Sequence, residues 1–104
     1  MTGTICDTFF VNFTNESRLK IMLALKNGPL DVNTITKKVG SEQSAVSHNL
    51  RKLTNCNILT AKQEGKRQIY SINKTTVLPI LEIYQKHIMR NCKRCENAKN
   101  SIFR

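Results

Sequence analysis

Gly40 separates two short segments with helical periodicity, and this junction restricts the folds open to the chain more than any other feature. Asp31 can cap the first segment, residues 32–39, and Ser41 can cap the second, residues 41–55. The apolar residues at helical spacing are Val32, Ile35 and Val39 in the first segment and Val46, Leu50 and Leu53 in the second. Two helices joined by a short turn that contains glycine are typical of a helix-turn-helix unit.

The second segment also presents a polar face opposite its apolar stripe. That face has no carboxylate, and its side chains are Gln43, Ser44, Ser47, His48 and Arg51. Hydroxyl, amide, imidazole and guanidinium groups are those that read base edges and bind phosphates. We therefore predict that residues 41–55 form a recognition helix for nucleic acid. An ordinary amphipathic surface helix is the alternative.

The charge balance indicates a polyanionic partner. The chain has 104 residues with 17 Lys and Arg against 7 Asp and Glu, a formal net charge of +10. A chain of this length fits one domain, and its positive charge favours nucleic acid first and an anionic membrane surface second. No apolar run approaches the ~18 residues that a transmembrane helix needs, so we expect no membrane-spanning segment.

The first seven residues lack the basic and apolar regions of a signal peptide, which predicts a cytoplasmic protein. In that compartment, cysteines seldom form structural disulfides. We therefore expect the four cysteines of this chain to be free, metal-bound or redox-active.

Two further helices are predicted before the helix-turn-helix unit. Closely spaced phenylalanines predict a first helix over about residues 6–13. Asn15 can cap a second helix that is apolar nearly all round and therefore central in the domain. Gly28 and Pro29 end this second helix.

A hairpin and a last helix are predicted after the unit. Residues 58–63 and 67–72 alternate on either side of a glycine turn, which is typical of a β-hairpin. Thr75 or Thr76 can cap a last helix over about residues 75–91. That helix is apolar well beyond one stripe, so it is expected to pack against its own core and a second subunit.

These elements predict a mainly α fold with a β-hairpin, in the order α-α-α-α-β-β-α. The folded domain is expected over residues 1–91, followed by a basic Cys-x-x-Cys tail over residues 92–104.

Three segments carry a family resemblance. They are Ser-Arg-Leu-Lys-Ile-Met-Leu-Ala-Leu at 17–25, Gln-Ser-Ala-Val-Ser-His-Asn-Leu-Arg-Lys-Leu at 43–53 and Glu-Gly-Lys-Arg-Gln-Ile-Tyr at 64–70. They resemble the ArsR/SmtB family of winged helix-turn-helix transcriptional regulators over about residues 8–90. The resemblance implies a homodimeric repressor that binds double-stranded DNA, with the hairpin as its wing. Our hypothesis is that the dimer binds an inverted repeat.

The resemblance also implies roles for particular residues. It assigns Gln43, Ser44, Ser47 and His48 to the DNA-contacting segment, and Arg51 follows on the same face. The other residues expected to contact DNA are Lys37, Lys38, Lys52, Lys62, Lys66, Arg67 and Gln68. The first and last helices would form the dimer interface, with candidate residues Phe9, Phe10, Phe13, Ile80, Ile83, Tyr84 and His87.

The chain departs from the metal sites of that family. Many members carry Cys-Val-Cys where this chain has Asp31-Val32-Asn33. Others use paired Asp-x-His and His-x-x-Glu ligands on the last helix, where this chain offers Glu82 and His87 at a different spacing. The family's standard metal sites therefore do not transfer to this chain.

Cys92 and Cys95 form a Cys-x-x-Cys pair that can chelate a thiophilic ion such as zinc. Zinc prefers four ligands, and His87 and Cys6 are candidates for the others, as is a residue of a second subunit. Nearby Lys and Arg residues favour the thiolates. A reversible redox disulfide and free thiols without a regulatory role are the alternatives. Cys56 is predicted to be a small core residue.

An enzyme is not expected, because the four glycines are scattered at turns and the seven carboxylates form no plausible pair. Three alternatives to a sensing regulator stay open. They are a regulator of the same fold that senses nothing, an architectural protein that coats DNA without choosing sequence, and a winged-helix module that binds proteins.

Overall fold

The structure of this chain, a computed structural model, describes residues 7–91. Cys6, Cys92, Cys95 and the predicted tail lie outside the described residues. The elements are α1 (Asp7–Thr14), α2 (Glu16–Ala24), β1 (Leu30–Asp31), α3 (Val32–Val39), α4 (Gln43–Asn55), β2 (Leu59–Glu64), β3 (Arg67–Ile72) and α5 (Val77–Asn91). The predicted mainly α fold with a β-hairpin is therefore confirmed, with one additional short strand.

Local capping sets the limits of α2 and α3. The Asn15 side chain accepts a hydrogen bond from the backbone N–H of Arg18 at 3.0 Å, and α2 begins at the next residue, Glu16. The Asp31 carboxylate accepts from the backbone N–H of Thr34 at 2.9 Å in the same way. Gly40 ends α3 in the left-handed region, at φ 68°, where a residue without Cβ has no steric penalty.

The prediction that Ser41 caps the recognition helix was wrong. The first bond of α4 runs from the backbone N–H of Val46 to the carbonyl of Glu42 at 3.0 Å, which makes Glu42 the N-cap. The Glu42 side chain makes no capping hydrogen bond. The turn between α3 and α4 is therefore one residue longer than the sequence predicts.

The strands form a three-stranded antiparallel sheet in the order β1-β3-β2. The hairpin register pairs Leu59 with Ile72 and Glu64 with Arg67. β1 was not predicted, because a strand of two residues leaves no alternation to read. Its pairing of Leu30 with Tyr70 attaches the hairpin to the body of the domain.

The predicted limits of the outer helices need small corrections. α1 covers residues 7–14 and α5 begins at Val77, two residues after the predicted start. Neither Thr75 nor Thr76 acts as the predicted cap. The Asn73 side chain instead accepts from their backbone N–H groups at 3.1 and 3.3 Å, because a short polar side chain readily closes such a turn.

The core lies between α2, the inner faces of α3 and α4, the sheet and α5. Its members with at most 1% exposure are Ile21, Met22, Leu25, Ile35, Val46, Leu50, Leu53, Ile58, Leu59, Val77 and Leu81. The apolar stripe of α4 is thus buried, as its spacing predicts, and its polar face is directed outward. Within residues 7–91, no helix combines the length and the hydropathy required to span a bilayer.

Candidate nucleic-acid interface

The polar face of α4 is a continuous exposed surface. All of its predicted side chains are exposed, namely Gln43, Ser44, Ser47, His48 and Arg51. Burial of Val46, Leu50 and Leu53 beneath them fixes which side of the helix faces solvent. The face therefore presents only neutral and positively charged groups.

Exposed lysines border this face on α3 and α4. Lys37 and Lys38 lie in the last turn of α3, and Lys52 lies in the last turn of α4. A positive charge at a helix C-terminus is favourable because it opposes the negative end of the helix dipole. The last turn of α3 leads directly into the turn before α4, so these two lysines lie close in the chain to the start of α4.

The β2–β3 hairpin forms a second exposed, basic segment beside α4. Lys62, Lys66 and Gln68 are all exposed. Gly65 turns the chain at φ 62°, and the Gln63 side-chain amide donates to the Gly65 carbonyl at 2.9 Å. Because α4 packs against β2, the hairpin flanks the recognition helix as a wing would.

Arg67 has a partner that the sequence did not predict. Its Nη1 lies 3.2 Å from Oδ2 of Asp31, with side-chain exposures of 65% and 13%. Hydrogen bonds from Thr34, followed by the nearby Arg67 charge, lower the pKa of Asp31 below its ordinary value. The other guanidinium donors of Arg67 can still contact a phosphate. This ion pair joins the wing to the N-terminus of α3.

The predicted dimer residues lie on α1 and α5 with different exposures. Phe10 is 63% exposed and Ile83 is 67% exposed, and both are large apolar side chains. Phe9, Phe13, Ile80 and Tyr84 are half-buried, while His87 is exposed. Val11 and Met89 are also exposed and were not predicted. A single subunit therefore leaves apolar surface uncovered on both helices.

Of the predicted metal ligands, only His87 lies among the described residues. Within the described range, no group of three or more His, Cys, Asp or Glu side chains could hold a metal ion. Cys56 is a free thiol, half-buried against the core. The Cys-x-x-Cys hypothesis thus concerns residues outside the described part of the chain and stays a prediction.

A partly buried polar contact that joins α1, α2 and α4 was also missed. Arg18 of α2 donates to the side-chain oxygens of Asn12 on α1 and Asn49 on α4. A signal was present in the sequence, because Asn12 lies within the phenylalanine-rich first helix, where an amide needs a partner when buried. The identity of that partner was not evident from periodicity.

Comparison with known proteins agrees with this geometry. Residues 15–61 match the family model described as bacterial regulatory protein, arsR family. The chain is 42% identical over 66 residues to the HTH-type transcriptional regulator NmtR of Mycobacterium tuberculosis, a match over 64% of this chain and 55% of that protein. The chain therefore spans about half the length of this relative.

Solved structures have the same architecture. NolR from Sinorhizobium fredii has a TM-score of 0.71 at 29% identity, covering 77% of this chain and 80% of that one. Mb0332 from Mycobacterium bovis, described as a homodimeric winged helix-turn-helix DNA-binding domain, has a TM-score of 0.70 at 22% identity, covering 89% and 97%. The fold of this chain is thus a winged helix-turn-helix.

Proposed function

We propose that this chain is a member of the ArsR family of bacterial regulatory proteins and acts as a sequence-specific, double-stranded DNA-binding transcriptional regulator. Support comes from the family model that matches residues 15–61 and from the likeness to NmtR and NolR. The observation that carries the proposal is the exposed polar face of α4 between the α3 lysines and the basic hairpin. In the proposal α4 enters the major groove, where each base pair presents a distinct pattern of donors and acceptors. The wing contacts the flanking backbone, and DNA binding represses transcription.

The residues of the α4 face divide into two roles. The base edges are read by groups that donate and accept hydrogen bonds at the outer surface of the helix, together with a guanidinium that only donates. These residues are Gln43, Ser44, Ser47, His48 and Arg51. The exposed lysines contact phosphates, since a lysine ammonium is a flexible point charge. These lysines are Lys37, Lys38, Lys52, Lys62 and Lys66. Gln68 and the free donors of Arg67 complete the wing contacts.

The protein acts as a homodimer in this proposal. Support comes from the apolar side chains that one subunit leaves exposed, above all Phe10 on α1 and Ile83 on α5. Half-buried Phe9, Phe13, Ile80 and Tyr84, with exposed His87, complete the proposed interface. Two recognition helices related by a twofold axis contact successive major grooves about 34–36 Å apart, which requires an inverted repeat.

The base-reading role is tested by comparing neighbouring substitutions on α4. Arg51→Ala should weaken binding to a duplex selected by the protein at least about fivefold per subunit, because a lost base contact costs about 1–3 kcal/mol. Binding to a scrambled duplex should change far less. Lys52→Ala is the matched control, since it removes an adjacent charge proposed to contact phosphate. It should weaken both complexes by similar factors, as measured by fluorescence anisotropy.

An equal loss on both duplexes for Arg51→Ala would show that the residue does not read bases. A wild-type protein that binds all duplexes alike would favour an architectural protein instead. A protein partner whose binding survives reversal of the wing charges would favour a protein-interaction module.

We also propose that Cys92 and Cys95 bind a thiophilic metal, zinc first, and make DNA binding responsive to it. Support comes from the pair's spacing and from exposed His87 on α5, whose last residue directly precedes Cys92. Cys6 is a further candidate ligand. The alternatives are a reversible disulfide between the same thiols and a regulator that senses nothing.

Metal analysis of protein purified without chelator separates these alternatives. The zinc proposal predicts about one zinc per subunit, absent after Cys92→Ser with Cys95→Ser. Titration of thiols before and after mild oxidation detects the disulfide. If the double variant and wild-type protein bind DNA equally well in the presence of zinc and of oxidant, the regulator does not sense either through these thiols.

A further inference from the structure

Asn12 is a buried polar residue of α1 with all of its hydrogen-bonding groups directed to protein atoms. Its side chain is 2% exposed. The amide nitrogen donates to the carbonyls of Thr8 at 2.9 Å and Phe9 at 3.3 Å. The amide oxygen accepts from Nη1 of Arg18 at 2.9 Å. A buried amide oxygen without a hydrogen-bond partner would reduce the stability of the fold, so Asn12 requires its contact with Arg18. The two side chains therefore form one hydrogen-bonded unit.

Arg18 extends this unit to the recognition helix. Its Nε donates to the side-chain oxygen of Asn49 at 3.3 Å, so one guanidinium joins α1, α2 and α4. Its backbone N–H meanwhile donates to Asn15, which anchors the start of α2. Both side-chain partners are neutral amides, and the contact therefore fixes positions without forming an ion pair.

The two ends of this contact lie next to surfaces of the proposed function. Asn49 directly follows His48 of the α4 face and precedes buried Leu50. Asn12 lies beside Phe10 and Val11, whose side chains are exposed on α1. A shift of Arg18 would therefore change how the recognition helix is oriented relative to the proposed dimer helix.

We propose that Arg18 is a positioning residue that fixes α4 relative to α1 and thereby sets the spacing between the two recognition helices of the dimer. This inference rests on the proposed function. Arginine suits the role because its planar guanidinium carries donors at fixed angles, so Nη1 and Nε reach two acceptors at once. Lysine keeps the charge but carries its donors on a single nitrogen at the end of a flexible chain.

The test measures how strongly DNA binding depends on the spacing between the two half-sites. An arginine that only stabilised the fold would leave this dependence unchanged. The duplexes are the selected inverted repeat and versions with one base pair added or removed at its centre. Each such change moves a half-site by about 3.4 Å and rotates it by about one tenth of a turn. Wild-type protein should discriminate between spacings by roughly tenfold or more, a cost within the range for one altered base pair.

Arg18→Lys should reduce this discrimination at least threefold, because α4 can then adjust to shifted half-sites. Asn49→Leu, which removes the acceptor, should have the same effect, and it carries the test if Arg18→Lys fails to fold. Asn49→Asp keeps an acceptor for Nε and should retain the wild-type spacing preference despite weaker binding overall. Ile21→Val, a buried change on the same helix, controls for stability loss and should also retain it.

Wild-type discrimination in both Arg18→Lys and Asn49→Leu would overturn the inference. So would an equal loss of affinity at every spacing in these variants. If wild-type protein binds none of the duplexes, the proposed function fails, and that result is distinct from a failure of the Arg18 inference.

Discussion

The salt dependence of DNA binding can be predicted from the exposed lysines of α3, α4 and the wing. Each subunit offers five on the proposed interface, at positions 37, 38, 52, 62 and 66. If about three of these five reach a phosphate at any one time, Lys66 among them, a dimer makes about six contacts, and the slope of log K against log salt is about −5.4. Between 50 and 200 mM salt, affinity should then fall about 1,800-fold.

Lys66→Gln removes one of these charges from the tip of each wing. The dimer then loses two contacts, so the slope should flatten by about 1.8 to about −3.6, and affinity should fall only about 150-fold over the same range. The Lys66 side chain is exposed, and Gly65 forms the turn without it, so the fold should be unaffected.

The assay is a titration of a fluorescent duplex at four or more salt concentrations. Lys74→Gln is the matched control, an identical change at an exposed lysine between β3 and α5, away from the turn of the wing. Its slope should equal that of wild type. An unchanged slope for Lys66→Gln would refute a wing contact at this residue, and a flat wild-type series would refute the electrostatic account altogether.

Two further predictions concern assembly and stability. Ile83→Asp should convert the proposed dimer to a folded monomer in analytical ultracentrifugation. The substitution places a charge at a position that is 67% exposed in one subunit and that the proposed interface would bury. Thr60→Asp on the exposed side of β2 is its control, and a dimeric Ile83→Asp would exclude this interface. The lowered pKa of Asp31 means that its ionised form stabilises the fold at neutral pH, a contribution lost as pH falls through the folded-state value below 3.8. Urea unfolding of Asp31→Asn should therefore show less loss of stability than wild type between pH 7 and about pH 2.5, and equal losses would contradict that role.

The helix-turn-helix unit was predictable because its signals are local. Asp31 and Gly40 act on backbone groups within four residues, and α3 has the predicted limits. The buried stripe of α4 likewise follows from helical spacing alone. Ser41 shows the limit of this reasoning. Ser41 and Glu42 are adjacent polar residues, and either could precede the first turn of α4. The backbone conformation of the turn makes Glu42 the N-cap, and local sequence does not specify that conformation.

The contacts that connect elements were not predictable in this way. Arg67 and Asp31 are 36 residues apart, and Arg18 and Asn49 are 31 apart. Their meeting depends on how the hairpin and helices pack, which periodicity does not specify. Sequence patterns thus identified the candidate DNA-binding face, while the residues that hold it in position required the structure.

Selection from a pool of random duplexes, followed by footprinting, tests the central proposal most directly. Full-length protein should enrich an inverted repeat with half-sites about one helical turn apart, or a multiple of it, and should protect both halves. A pool that stays random after repeated rounds, or a single protected half-site bound by one subunit, would contradict the account.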